Sequence, residues 1–322
     1  MNSASNYSQP DPLEGSGIVV VDKPAGMTSH DVVGKLRRIF RTKKVGHAGT
    51  LDPMATGVLV AGLERGTKFL AHMVAATKTY QATIRLGAAT STDDAEGELL
   101  SPASVFPDST KTDITARLTA LTDEQISAAC AAWTGTVEQI PAKVSAIKIN
   151  GKRAHQRVRE GEEVEIPARS VTIEQFDIHD IRRIFEHDGK QFIDIDCTVS
   201  CSSGTYIRSL ARDIGLDLGV GGHLTALRRT QVGPYTLADA ASLEELAEQA
   251  ALSLGLDEAL LRSYPKWQIS EDQALDLSMG KRLPAQGLDG VHAATAPDGR
   301  VIALVKESKE IQTVFVARPS TL

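Results

Sequence analysis

Short β-branched runs alternate with stretches of helical periodicity along this chain, and no segment repeats itself. Ile18–Val21 predicts a strand, and Ser29 opens a helix to about Arg41 in which Val32, Val33, Leu36 and Ile39 recur at helical spacing. A glycine-rich loop follows. Gly57–Leu63 then reads as a strand and Thr67–Val74 as a short helix, while Thr79–Leu86 alternates so that Tyr80, Ala82, Ile84 and Leu86 share one face. Leu100–Asp113, rich in Ser, Thr, Pro and Asp, predicts a loop. Thr122 with Gln125 forms a capping box ahead of a helix carrying Ile126, Ala129, Cys130 and Trp133. Val171–Phe185 and Phe192–Ser200 flank an Asp188-Gly189 turn, the signal of an antiparallel hairpin. Thr205–Asp213 predicts a helix with Ile207, Leu210, Ala211 and Ile214 on its apolar side and Gly215 as its stop. A further helix spans Leu243–Ala250. Beyond about Ser263 the texture changes to short strand-like pieces, Val301–Val305 and Thr313–Val316, between Gly and Pro turns. The class is α+β, with a large domain over 17–262, a small β-rich module over 263–322 and a disordered polar leader over 1–16.

Composition narrows the functional classes. With 42% hydrophobic and 24% charged residues the chain is ordinary for a globular protein, and no apolar run approaches the ~18–20 residues that span a bilayer. The leader lacks the basic and apolar regions of a signal peptide, so the expected location is the cytoplasm. Three scattered cysteines, Cys130, Cys197 and Cys201, make neither a disulfide framework nor a zinc site, and no metal is expected. A net charge of −6 argues on average against a nucleic-acid partner. The average hides two basic runs. Lys35, Arg37, Arg38, Arg41, Lys43 and Lys44 form one without an intervening acid, and Lys143, Lys148, Lys152, Arg153, Arg157 and Arg159 form the other. The acids gather instead in the C-terminal third.

Most of the candidate chemistry lies between Gly46 and Gly57, where three glycines and Pro53 surround Asp52. Pro53 disfavours the α region for Asp52, and the glycines permit a tight path or close approach of a ligand. An aspartate so presented serves as nucleophile, general base or metal ligand, or else only caps a following helix.

The string Gly46-His47-Ala48-Gly49-Thr50-Leu51-Asp52-Pro53-Met54-Ala55-Thr56-Gly57-Val58-Leu59 resembles the catalytic motif of the TruB family of tRNA pseudouridine synthases. The likeness continues in family order through Val21–Met27, Lys78-Thr79-Tyr80, Ser91–Gly97, Ile140–Lys148, Gly204–Arg208 and His223–Arg229, covering roughly residues 17–235. One departure is His155, where the family commonly has a tyrosine. After about Ser263 the likeness to the PUA-type RNA-binding module of relatives is by position alone.

The resemblance implies the pseudouridine synthase fold, a mixed and largely antiparallel sheet with flanking helices, plus a C-terminal PUA-like module. It implies isomerisation of a uridine in the T-loop of tRNA, at tRNA position 55, without a cofactor; no obligate protein partner is expected, and a monomer is the default. Asp52 would be the nucleophile, attacking C1′ or C6 of the uridine, and Arg208 would pair with it and aim it. Tyr80 would stack on the flipped base, near the C5 proton that must leave, with Tyr206 and Leu227 as further walls. His47 would fill the space the extruded base vacates. Asp94 would bond the substrate near its sugar, while Lys23 and Lys68 would be structural or phosphate-contacting cations. Two other readings fit the same residues, a non-catalytic protein that helps tRNA fold and a synthase acting on rRNA. The intact Asp52, Tyr80 and Arg208 set speaks against the first, and the lack of long basic extensions against the second.

Overall fold

The computed structural model describes residues 13–73, 76–107, 114–142, 148–149, 152–153, 166–186 and 189–321. Its strands are β1 (Gly17–Lys23), β2 (Val45–Ala48), β3 (Thr56–Leu63), β4 (Lys78–Leu86), β5 (Gly135–Gln139), β6 (Lys148–Ile149), β7 (Lys152–Arg153), β8 (Arg169–Phe185), β9 (Gln191–Cys201), β10 (Gly222–Val232), β11 (Tyr235–Thr236) and β12 (Leu254–Gly255). The C-terminal strands are β13 (Lys266–Gln268), β14 (Leu283–Pro284), β15 (Val291–Thr295), β16 (Val301–Glu307) and β17 (Glu310–Val316).

Among the described residues, one sheet runs in the order β12-β1-β3-β10-β4-β9-β8-β5, with β2 also on β3 and β11 on β10. The β3–β10 pairing is parallel and the others are antiparallel. β1 reads as an unbroken apolar run because both its faces are covered, as in strands with packing on each side. Val19 and Val21 enter a core under the helices Ser29–Ile39 and Ile207–Asp217, while Ile18 and Val20 enter a second core on the other face. β3 alternates in the same way, Leu59 and Ala61 against Val58 and Val60. Cys197 and Cys201 face the first core from β9 and Cys130 joins them; burial pushes these thiols up to about 12, about 11 and about 12 respectively.

The C-terminal residues form a separate sheet, β13-β15-β16-β17-β14, with the helix Glu271–Ser278 on one side. Its other side closes the second core: Val301, Leu304 and Phe315 pack with Ile18, Val60 and Leu260. Polar ties reinforce the contact. Arg318 forks onto the Asp257 carboxylate, which also accepts from Val301 N at 3.0 Å, and Tyr264 Oη donates to His72 O at 3.0 Å. The texture change near Ser263 marks the end of the helix Leu256–Ser263, yet the module beyond it shares a core with the sheet before it.

Four expectations shift. The packed body already includes Leu13 and Ser16, both buried, so the polar leader is shorter than residues 1–16. Pro102–Val105 forms a short helix capped by Ser101 within the segment expected to be a loop. Thr28, not Ser29, caps the first helix, its hydroxyl and the Asp31 carboxylate completing a capping box. Gly215 does not stop its helix, which continues to Asp217; the residue is glycine because a Cβ there would lie 2.2 Å from Gly222 N on the adjoining strand. The turn that ends the helix is made by Gly219, at φ 70°. Lys143, Arg157 and Arg159 of the second basic run, with His155, fall outside the described residues. Among those described, no helix is long and apolar enough to cross a membrane.

Candidate active site

Asp52 stands in the loop joining β2 to β3, so the element after it is a strand and it has no helix to cap. Buried groups hold this loop from three directions. Ser29, freed from capping, turns its hydroxyl inward, accepting from Leu51 N at 2.8 Å and donating to Leu51 O at 3.1 Å. Arg229, 1% exposed in β10, donates to Gly49 O at 3.0 Å, Thr50 O at 3.5 Å and Val58 O at 2.8 Å. Lys23 at the end of β1 donates to Met27 O, Pro24 O and Pro53 O at 2.6, 2.9 and 3.2 Å. Backbone groups on both sides of Asp52 are thereby fixed, while its side chain remains a third exposed.

The carboxylate meets Arg208 in a two-point contact, Nε to Oδ2 at 2.8 Å and Nη2 to Oδ1 at 3.1 Å. Such a planar fork fixes direction as well as distance. Arg208 lies in the first turn of the helix Ile207–Asp217, where the helix dipole disfavours a cation. Its surroundings offset that: besides Asp52, its Nη1 donates to Thr92 O at 2.9 Å and lies 3.6 Å from Asp94 Oδ2. Tyr80 on β4, Leu227 on β10 and Tyr206 at the helix cap join Asp52 and Arg208 around one cleft of about 230 Å³. Burial pushes the Tyr80 phenol up, against the pull of the neighbouring Arg229 guanidinium.

The other expected site residues lie elsewhere. Asp94 is 3% exposed and does not line the cleft; its carboxylate accepts from Thr92 Oγ1 and Glu96 N and backs Arg208. A direct bond to the substrate sugar does not fit that burial. Lys23, wholly buried with its three donors on carbonyls, has a structural place and not a phosphate-facing one; burial brings its ammonium down to about 8. Lys68 is exposed on the helix Gly66–Phe69, outside the cleft lining. His47 sits half-buried on β2 beside the cleft lining, its Nδ1 buried without a partner, and burial with the nearby Arg229 and His30 lowers its pKa.

The TruB family pseudouridylate synthase N-terminal domain matches residues 37–207. The domain described as tRNA pseudouridylate synthase B C-terminal covers 208–264, and that described as tRNA pseudouridine synthase II C-terminal covers 264–318. The chain belongs to the TruB family. A TruB-family relative from Corynebacterium diphtheriae, tRNA pseudouridine synthase B, is 65% identical over 97% of this chain and 99% of its own. The protein of that name from Mycobacterium sp. (strain KMS) is 53% identical over 96% and 98%. Among solved structures, a chain of a Cbf5-Nop10-Gar1 complex superposes with a TM-score of 0.69 at 23% identity, covering 99% of this chain and 93% of that one, and a chain of an archaeal box H/ACA sRNP Nop10-Cbf5 complex with 0.65 at 23%, covering 96% and 89%. The fold is therefore the pseudouridine synthase fold expected for a TruB-family chain.

Three residues that support this TruB-family cleft have no site role in the sequence, although Ser29 was expected as a helix cap. Ser29 and Arg229 are the loop anchors above. Gln139, 1% exposed at the end of β5, brackets the Tyr206 peptide, its Oε1 accepting from Tyr206 N at 2.8 Å and its Nε2 donating to Tyr206 O at 3.1 Å. Arg229 stood inside a motif and Gln139 just before one, so the signal was there; which way each side chain points was not.

Proposed function

We propose that this protein isomerises uridine to pseudouridine at position 55 in the T-loop of tRNA, with Asp52 as the nucleophile. The observation that carries the reading is the Arg208 fork on Asp52, at a cleft walled by Tyr80, Tyr206 and Leu227. A carboxylate a third exposed on a pinned loop is aimed at whatever enters, and aromatic and aliphatic walls suit a flat base. The names of the closely similar relatives support tRNA as the substrate. A uridine stacked in the T-loop is extruded first, at a cost of a few kcal/mol. The exposed Arg37, Arg38, Arg41, Lys43 and Lys44, on and just after the helix Ser29–Ile39, supply a basic surface for the phosphates. The C-terminal module, taken as PUA-like, would hold the acceptor end of the same tRNA.

The test is tritium release from 5-tritiated uridine in a T-arm stem-loop transcript, alongside RNA binding. Asp52→Asn and Asp52→Ala are expected to bind the RNA, since affinity comes mainly from phosphate and loop contacts, and to release no tritium. Turnover within about tenfold of wild type, a barrier change of only ~1.4 kcal/mol, would exclude Asp52 as nucleophile. A folding helper without chemistry would leave the buried Arg208 fork on Asp52 unexplained.

A further inference from the structure

Two cations in the cleft have no part in the chemistry described so far. Lys78 and Arg229 both line it, as Arg208 does. Lys78 and Tyr80 are two residues apart on β4 and so face the same way. Arg229 is the partner of Tyr80 in the register of β10 on β4, and its guanidinium reaches the phenol. Both cations are buried, at 7% and 1% exposure. Lys78 Nζ donates to Ala76 O at 2.7 Å, and Arg229 bonds three backbone carbonyls. Among the described residues Arg229 has no carboxylate partner, whereas Arg208 is matched by Asp52 and Asp94. The cleft is thus compensated at the nucleophile and holds, beside Tyr80, the Arg229 cation without a carboxylate partner. A buried cation without a counter-charge is costly, and a site that keeps one is suited to a negative charge that arrives with the substrate.

We propose that Lys78 and Arg229 form a cationic wall that takes up the negative charge developing on the uracil ring during isomerisation. The inference rests on the uridine chemistry proposed above and holds for either point of attack. At C1′, an Asp52 oxygen forms the new C–O bond as C1′–N1 breaks, and the electron pair leaves on N1, spread over O2 and O4. At C6, the new O–C6 bond drives the C5=C6 pair toward O4 as an enolate, and C1′–N1 then breaks with its pair left on N1 and a cationic C1′. In both, one unit of charge passes from carboxylate to ring. It returns when C5 bonds C1′ and the carboxylate is released; the C5 proton then leaves and N1 gains one. Fixed cations near the ring oxygens favour the charged stage without reorganising.

Burial and the charge of Arg229 bring the Lys78 ammonium down to about 8. The groups facing it are Arg229 from β10, the Cys201 thiol directly opposite on β9 and Tyr80 on its own strand, with Glu174 of β8 beyond Cys201. Burial pushes the Cys201 thiol up to about 11, so it stays neutral through this range. The protonated amine is the working form, and activity governed by it is present below about pH 8 and lost as pH rises through that value.

The experiment measures kcat/KM, which reports groups of the free enzyme, from pH 6 to 10, and the single-turnover rate at saturating RNA, on full-length wild type, Lys78→Met and Lys78→Arg. Wild type should lose kcat/KM with unit slope above about pH 8. Lys78→Met should lower the single-turnover rate at neutral pH by about 100-fold, as loss of one charge-stabilising donor does, without a matching loss of RNA affinity. Lys78→Arg, which does not titrate here, should recover part of that rate and move the alkaline limb up to the ionisation of the uracil N3–H itself. A Lys78→Met rate within about tenfold of wild type, or a wild-type limb persisting in Lys78→Arg, overturns the inference and leaves the isomerisation intact. Should Lys78→Met fail to fold by circular dichroism, the Lys78→Arg profile decides alone. Wild type that releases no tritium sinks the isomerisation reading and this one with it.

Discussion

At the scale of single residues, the site is a side chain held by its neighbours' backbones. Ser29 shows how much rests on one hydroxyl. Ser29→Ala leaves a buried N–H and C=O of Leu51 without their partner, so the cost should be about 1–3 kcal/mol of stability. Because that peptide precedes Asp52, the single-turnover rate should fall further than affinity for RNA. Denaturant unfolding and rapid-quench tritium release measure the two, and a stable, slow-unfolding variant with normal rate would remove Ser29 from the loop's support. Arg208→Lys should be worse for chemistry than for stability, since a point ammonium cannot make the two-point contact on Asp52. Asp52, Tyr80, Arg208, Tyr206 and Leu227 were legible in the sequence, and the structure brings all five to one cleft. The anchors were not legible, for a physical reason. Arg228 and Arg229 are identical in type and adjacent, yet strand alternation sends Arg228 to Asp22, at 2.7 Å, and Arg229 inward to the loop. For Asp94 and Lys23 the motifs left the contact open, because motif membership does not separate a group that meets substrate from one that supports a group that does.

Elements were read well where periodicity alone decides them and less well where a neighbour does. The strands β1, β3, β4, β8 and β9 fall where apolar runs and alternation put them, and the hairpin of β8 with β9 forms as its turn predicts. The end of the helix Ile207–Asp217 was misread because Gly215 looks like a stop. Its cause is tertiary, the approach of β10 to the helix backbone, which no local pattern records. A pair of substitutions separates the two uses of helical glycine. Gly215→Ala places a methyl 2.2 Å from Gly222 N, where only backbone can yield; it should cost ~1–3 kcal/mol or more and shift the helix that carries Arg208. Gly34→Ala, in the helix Ser29–Ile39 with nothing within 4 Å of the added carbon, should stabilise by about 0.5–1 kcal/mol. Thermal melts of both variants provide the check, and equal effects would mean that the Gly215 contact is not what fixes the residue.

For the whole molecule, the change of texture near Ser263 is real, but besides its own small core the module shares a second core with the sheet before it. Alternation on β1 and β3 told only that these strands are buried on both sides, not what buries them. Deleting residues 264–322 removes Val301, Leu304 and Phe315 from Ile18, Val20 and Val60, together with the Arg318–Asp257 tie. The truncated chain should therefore melt far below the full-length protein or aggregate through the uncovered sheet face. A truncated form with a sharp unfolding transition near that of the intact protein would show that the shared core contributes little. The acceptor-end role of the module is better tested by substitutions on its exposed face in the intact chain, comparing whole tRNA with an isolated T-arm stem-loop.

The shared core also bears on how the chain is made. β1 is synthesised well before Val301, Leu304 and Phe315, which cover its underside. A nascent chain that has emerged through the helix Leu256–Ser263 holds every residue of the cleft, but its sheet still lacks one apolar cover. Contacts between opposite ends of a chain form late, and until they do the open face is a target for aggregation or for chaperones. Synthesis of β16 and β17 thus sets the moment at which this sheet face can be closed.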